Sequence, residues 1–298
     1  MPLFGAHVSI AGGLHKAAET AAALDCGTMQ IFSKNASQWA GKPLTDDEVA
    51  AFKAAVRKAR LKYPTAHDSY LINLAAPGDE LFEKSIAAFV DELNRAERLG
   101  LSYLVTHPGA HVGSGEDAGL RRVTEGLDRA LKRTAGYKVK VLLENTAGMG
   151  TTLGHRFEHL ARLIADSRDP GRLAVCFDTC HAFAAGYDLS TDAGYDATFA
   201  EFARTVGLRR LKLFHVNDSV KPLGSRVDRH AGIGLGQIGD RAFRRLATDP
   251  RFARLPMVLE TPKEDADGNP MDPLNLARLR AFATEAPSPR STARGGRV

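Results

Sequence analysis

The sequence predicts an α/β chain closed into a single (β/α)8 TIM barrel. Short apolar or β-branched runs alternate with amphipathic stretches eight times. That rhythm fills roughly 280 of the 298 residues, close to the ~250 typical of this fold. An open doubly wound sheet is the competitor, and it would place a Gly-rich fingerprint after its first strand. AGGL at 11–14 is not GxGxxG.

The expected strands are Leu3–Ser9, Thr28–Ser33, Thr65–Asp68, Tyr103–His107, Val139–Glu144, Ala174–Asp178, Leu211–Asn217 and Met257–Glu260. The third has little strand character of its own and is accepted from its place in the rhythm. Between strands, Thr45 with Glu48 reads as a capping box opening a helix, with Val49, Phe52 and Val56 on one face. Residues Glu80–Leu99 read as a second amphipathic helix with Leu81, Ile86, Phe89, Val90 and Leu93 inward, stopped by Gly100. Residues 1–285 are expected to form one domain. APSPRSTARGGRV at 286–298, with two prolines and three arginines, is expected to be a disordered basic tail.

Composition narrows the classes. With 44% apolar and 25% charged residues, disordered, collagen-like and coiled-coil readings fall away. No run approaches the ~20 apolar residues of a membrane helix. MPLFGAHVSI lacks the pattern of a secretory signal, so a cytoplasmic protein is expected. Three cysteines, Cys26, Cys176 and Cys180, do not make a disulfide framework. A net charge of +5 permits a polyanionic partner without establishing one. No heptad or other oligomer-forming stretch appears, so a monomer is expected.

The chemistry-bearing residues gather at strand ends. His67, His107, Glu144, Asp178, His215 and Glu260 end or directly follow predicted strands; His181 and the Asp228–His230 pair lie just beyond two others. In a barrel these ends meet at one mouth, so residues scattered over nearly two hundred positions converge. A lone His at a strand end is usually a satisfied core or rim residue, and a lone carboxylate is usually a cap or half an ion pair. Five imidazoles and four carboxylates on one side are different. Four packed carboxylates repel unless protonated or neutralised, and only Arg229 lies beside them in sequence. Nitrogen and oxygen donors suit zinc, or alternatively manganese. Three divalent ions would outweigh the four carboxylates and turn a site that repels phosphodiesters into one that attracts them.

The segments LLENTAG (142–148), FDTCHAFAAGYDL (177–189), HVNDSVKPLGSRVDRH (215–230) and IGLGQIG (233–239) stand in order, supported by QIFSKN, HDSYLINLA and THPGAH. With them the chain resembles the endonuclease IV family of apurinic/apyrimidinic endonucleases (AP endonuclease family 2) along almost its whole length. The resemblance implies DNA repair: cleavage 5′ to abasic sites in duplex DNA, leaving a 3′-hydroxyl and a 5′-deoxyribose phosphate, and removal of 3′-blocking groups. It implies three zinc ions, and manganese can replace zinc at such donors. His67 and His107 would hold the first, Glu144 would bridge to a second completed by Asp178, His215 and Glu260, and His181, Asp228 and His230 would hold the third. Catalytic roles would fall on Glu144 and on Glu260, which faces the nucleophile.

The family inserts an Arg, a Tyr and a Leu into the duplex. Tyr70 and Leu71 match the last two; the Arg position falls on Ser37, which cannot fill a base-sized gap, leaving Lys34, Gln38 and Lys42 as candidate substitutes. His7 and His111 are expected either to orient ligands or to be core and loop residues. His15, His155 and His159 read as helix surface, Cys176 and Cys180 as small buried side chains. Arg241–Arg254 reads as the solvated face of an outer helix. The competing activity is a metal-dependent sugar or keto-acid isomerase of the related barrel superfamily, which needs fewer ligands; a non-catalytic DNA-binding protein is the third reading.

Overall fold

The computed structural model describes residues 2–285; the predicted tail lies outside the described residues. Eight parallel strands form the barrel: β1 (Leu3–His7), β2 (Thr28–Phe32), β3 (Thr65–His67), β4 (Tyr103–Thr106), β5 (Lys140–Glu144), β6 (Leu173–Asp178), β7 (Leu211–His215) and β10 (Pro256–Leu259). Each pairs with the barrel strands before and after it, and β1 closes on β10 with Leu3 opposite Pro256. Two short antiparallel strands, β8 (Asp218–Ser219) and β9 (His230–Ala231), lie between β7 and β10. All eight expected barrel strands are present, with ends shifted by one or two residues. The weak third strand pairs with both neighbours, Ala66 opposite Ile31 and Leu104.

Strand parity builds two cores. Side chains of a strand alternate between faces, so Phe4, Ile31, Ala66, Leu104, Leu143, Phe177, Phe214 and Leu259 face outward into one large cluster with the helices. The other parity points into the barrel, where Val105, Leu142, Ala174, Cys176, Leu213 and Val258 form a second, smaller core. Two residues further along these strands come His107, Glu144, Asp178, His215 and Glu260. The site therefore lies on top of the inner core, on rigid elements.

The helices follow their sequence signals. Helix α2 (Asp46–Lys58) opens on a complete capping box: Glu48 donates its amide to the Thr45 hydroxyl and its carboxylate accepts from the Thr45 amide. Helix α3 (Asp79–Leu99) ends at Gly100, whose φ of 72° is the left-handed conformation glycine tolerates. One position differs from expectation. Leu81 is 39% exposed, while Phe82 beside it is buried. Phe82, Ile86, Phe89 and Leu93 follow helical spacing and define the inward stripe, which leaves Leu81 off it. The Arg122 guanidinium lies 3.7 Å from the Phe82 ring centroid and covers its outer side.

Phe82→Ala should lower stability by about 3–5 kcal/mol through the cavity it leaves, whereas Leu81→Ala should stay within about 0.5 kcal/mol of the parent. Denaturant unfolding of the two variants side by side checks the assignment.

Candidate metal centre

Glu144, at the end of β5, is the hub. Its Oε2 lies 3.2 Å from His67 Nε2 and 3.4 Å from His107 Nε2. Its Oε1 lies 3.0 Å from His215 Nδ1 and 3.1 Å from His181 Nδ1. His215 Nδ1 also faces Glu260 Oε2 at 3.1 Å and Asp178 Oδ2 at 3.9 Å. Asp228, in the loop leading to β9, faces His181 Nε2 at 3.1 Å with one oxygen and His230 Nε2 at 3.3 Å with the other. All nine candidate ligands from the sequence thus meet in one continuous cluster. They fall into a group of His67, His107 and Glu144, a group of Glu144, Asp178, His215 and Glu260, and a group in which His181 and His230 share Asp178 and Asp228.

Backbone carbonyls set the histidine tautomers. His67 Nδ1 lies 2.9 Å from the Asp68 carbonyl, His181 Nδ1 3.0 Å from that of Asn145, and His230 Nδ1 3.1 Å from that of Glu260. A carbonyl can only accept, so each Nδ1 carries the hydrogen and each Nε2 turns its lone pair toward the carboxylates. The carboxylates are held in turn. Asp178 caps helix α6 (Thr179–Ala185), accepting from the His181 amide at 2.7 Å, and its Oδ2 accepts from the Asn217 side-chain amide at 2.7 Å. Asn145 spans the Asp178 backbone amide and carbonyl, and Asn217 accepts from the Glu260 amide.

Lone pairs facing carboxylates require a cation between them. Among the described residues no Lys or Arg ion-pairs with Glu144, Asp178, Asp228 or Glu260; their ionic partners are histidines. Without another cation the proton fills the role. Burial opposes the His67 imidazolium, but Glu144, Asp68 and Glu260 push its pKa up to about 10. Burial likewise disfavours the Glu144 anion, yet His215, His107 and His181 hold it well below the usual carboxylate range. Divalent ions fit the same space. Zinc bonds of ~2.05 Å in tetrahedral geometry place ligand atoms about 3.3 Å apart, matching the 3.2, 3.4 and 3.3 Å separations around Glu144 and Asp228. His230 Nε2 is buried without a hydrogen-bond partner, so its lone pair is free to bind a metal ion. Burial raises the Cys176 and Cys180 thiols, Cys180 to about 12, so both remain neutral and buried as expected.

Beside the cluster, Tyr70 is 68% exposed, its ring 5.3 Å from Phe32 and 5.8 Å from His67. Leu71 is half-buried next to it, and Gln38 and Ser37 lie on the loop after β2, Gln38 fully on the surface. The Ser69 hydroxyl donates to the Ala36 carbonyl at 2.6 Å and ties the two segments together. Lys34 does not belong to this surface. It is buried, its ammonium 2.5 Å from Glu92 on α3, in a network where Ser33 also bonds Glu92 and Arg95 bonds Ser33 and the Lys42 carbonyl. Lys34 is therefore a buried anchor under the loop rather than a DNA contact.

Other histidines sort clearly. His7 lies 3.4 Å from Glu260 Oε1 and orients a candidate ligand. His111 accepts from the Gly115 amide and shapes a loop instead. His159 is buried, not a surface residue: it accepts from the Gly154 amide, and burial together with His155 and Arg156 lowers its pKa to about 4. Arg241 and Arg245 pair with Asp192 and Asp196 on the neighbouring helix Asp192–Thr205, as an outer helix face would. Asp218 was not expected. Its buried carboxylate accepts from the amides of Ser219, Gly236, Ile238 and Gly239 and pins the 233–239 segment. A Cβ on Gly236 would lie 2.4 Å from the Ser219 carbonyl oxygen, so only glycine fits there.

Residues 18–282 match the family model described as a xylose isomerase-like TIM barrel, which defines the class. Within the class, the chain is 56% identical over 282 residues to a protein of Chloroflexus aggregans named probable endonuclease 4, covering 95% of this chain and 98% of that one. The crystal structure of endonuclease IV from Thermus thermophilus superposes with a TM-score of 0.84 at 42% identity, covering 96% of this chain and all of that one. The chain belongs to the endonuclease IV family. A D-tagatose 3-epimerase-like protein, at 19% identity and a TM-score of 0.70, shares the fold alone.

Replacing Lys34 by Met strands Glu92 as an unpaired buried charge and should cost about 3–5 kcal/mol of stability. The salt dependence of DNA binding should keep its slope, because no phosphate contact is removed. Unfolding and binding titrations at several salt concentrations separate the two roles.

Proposed function

We propose that the chain hydrolyses the phosphodiester 5′ to abasic sites in duplex DNA, leaving a 3′-hydroxyl and a 5′-deoxyribose phosphate, and that it clears blocked 3′ ends with the same centre. The observation that carries this reading is the nine-donor cluster organised around Glu144 and Asp228. Kinship to proteins named endonuclease 4 supports it. An isomerase centre on this scaffold needs one or two ions and has no use for the donor set around Asp228.

In this reading the three groups of donors each hold a divalent ion, zinc or in part manganese. When bound, such ions supply Lewis acidity that makes water nucleophilic near neutral pH and reverse the sign of the site's field toward phosphate. The protein's own contribution is placement. Glu144 stands between the first two donor groups and keeps them in register. Glu260 has Oε1 occupied by hydrogen bonds and Oε2 directed at the cluster interior, where it would ligate the central ion and face the attacking water. Asp228 sits at the exposed end of the cluster, and the ion held there would stabilise the leaving oxygen.

DNA engagement falls to the rim. Tyr70 is exposed, yet its ring leans on Phe32 and His67 and so is held at the mouth. An aromatic held there offsets the cost of unstacking the lesion. Leu71 packs beside it, and Gln38 takes the place next to Ser37 where the family's Arg is missing.

Purified protein should nick a duplex carrying one abasic site and lose that activity in a strong chelator; an intact substrate under both conditions would refute the proposal. Tyr70→Ala should weaken binding to abasic duplex by roughly 5–150-fold, the equivalent of ~1–3 kcal/mol of base stacking. Its 3′-phosphatase turnover on a frayed end should change far less. Equal losses on both substrates would make Tyr70 a structural residue.

A further inference from the structure

Six barrel strands deliver candidate ligands to the mouth, and β1 and β2 deliver none. On these two strands the same inward parity brings His7 and Gln30 opposite each other. Gln30 is fully buried and makes three hydrogen bonds with its side-chain amide. Its Nε2 donates to Glu260 Oε1 at 2.5 Å and lies 3.0 Å from His7 Nδ1, and its Oε1 lies 2.8 Å from His215 Nε2.

Chemistry fixes the direction of each bond. An ionised carboxylate only accepts, so the amide NH2 must face Glu260. The amide oxygen then faces His215, whose Nε2 must carry the hydrogen. His215 is left with the Nδ1 lone pair directed at Glu144, Glu260 and Asp178. Rotating the amide by half a turn would set oxygen against carboxylate and force the His215 proton onto Nδ1, the atom a metal needs. Among the His ligands for which a carbonyl sets the tautomer, His67, His181 and His230 present Nε2; His215 has an amide side chain in that role and presents Nδ1.

We infer that Gln30 is a positioning residue for the central metal ion: one amide selects the tautomer of His215 and reserves Glu260 Oε2, rather than Oε1, as the ligand atom. The inference rests on the metal reading proposed above. Partners of this kind, which hold ligands rather than the metal, change metal affinity by about 10–100-fold when removed. At the two outer groups, backbone carbonyls set the tautomers of His67, His181 and His230, and Gln30 touches none of their ligands.

The test is chelator competition on the protein loaded with zinc, comparing the parent with Gln30→Met and Gln30→Leu, bound metal being counted by elemental analysis. One ion should leave the variants at roughly 10–100-fold lower chelator concentration, the other two at the parent's. Competition curves that superimpose on the parent's would overturn the inference, as would equal weakening of all three ions, which marks general loosening of the fold. Metal-free parent protein throughout would instead refute the metal reading itself. Should neither variant fold, nitrogen-15 NMR of the loaded parent decides: His215 should show an exchange-protected Nε2–H, and a ring protonated at Nδ1 would contradict the assignment.

Discussion

Charge compensation at the barrel mouth governs this protein. Glu144 and Asp178 are fully buried and the Glu260 side chain is 17% exposed, and no Lys or Arg among the described residues ion-pairs with them. Buried carboxylates so close together would ordinarily push one another toward protonation. Here imidazoles supply the ionic partners, and carbonyls on the far side of the His67, His181 and His230 rings aim their free nitrogens inward. Such an arrangement is stable only with positive charge inside it, whether protons or metal ions. The same requirement that holds the site together gives it an affinity for phosphate once divalent ions supply the charge.

The barrel provides the precision this needs. Residues on the inner parity of six strands and their following loops converge without any loop having to fold over the site. Below them the apolar layer of Val105, Leu142, Leu213 and Val258 excludes water and supports the ligand layer from underneath. Loops add what strands cannot: the Asp228–His230 pair arrives on the short β8–β9 element, whose following segment is pinned through Asp218. The loop after β2 is fastened from below by the buried Lys34–Glu92 pair and from the side by Ser69.

Much of this was legible in the sequence for a simple reason. Barrel strands are short apolar runs, and residues ending them share one location, so position in sequence translated directly into position in space. That logic named nine residues that the fold brings together, even across the three-residue strand Thr65–His67. It missed Gln30 because the residue sits inside QIFSKN rather than at a strand end, although counting parity from the ligands would have pointed to it. Lys34 was misread because its partner, Glu92, lies on a helix far along the chain, and only the folded structure shows that the ammonium turns inward. His159 was misread for a local reason: the loop just before its helix donates the Gly154 amide to its ring. Pairings of single side chains leave no periodic trace.

Anomalous diffraction collected above and below the zinc absorption edge, on crystals of the protein as purified, addresses the core of the account. Three peaks are expected: one among His67, His107 and Glu144, one among Glu144, Asp178, His215 and Glu260, and one among His181, Asp228 and His230. A single peak would contradict the three-ion centre; no peak at any of the three positions, with none at the manganese edge either, would show that protons rather than metal ions compensate the carboxylates, and the hydrolytic reading would have no basis.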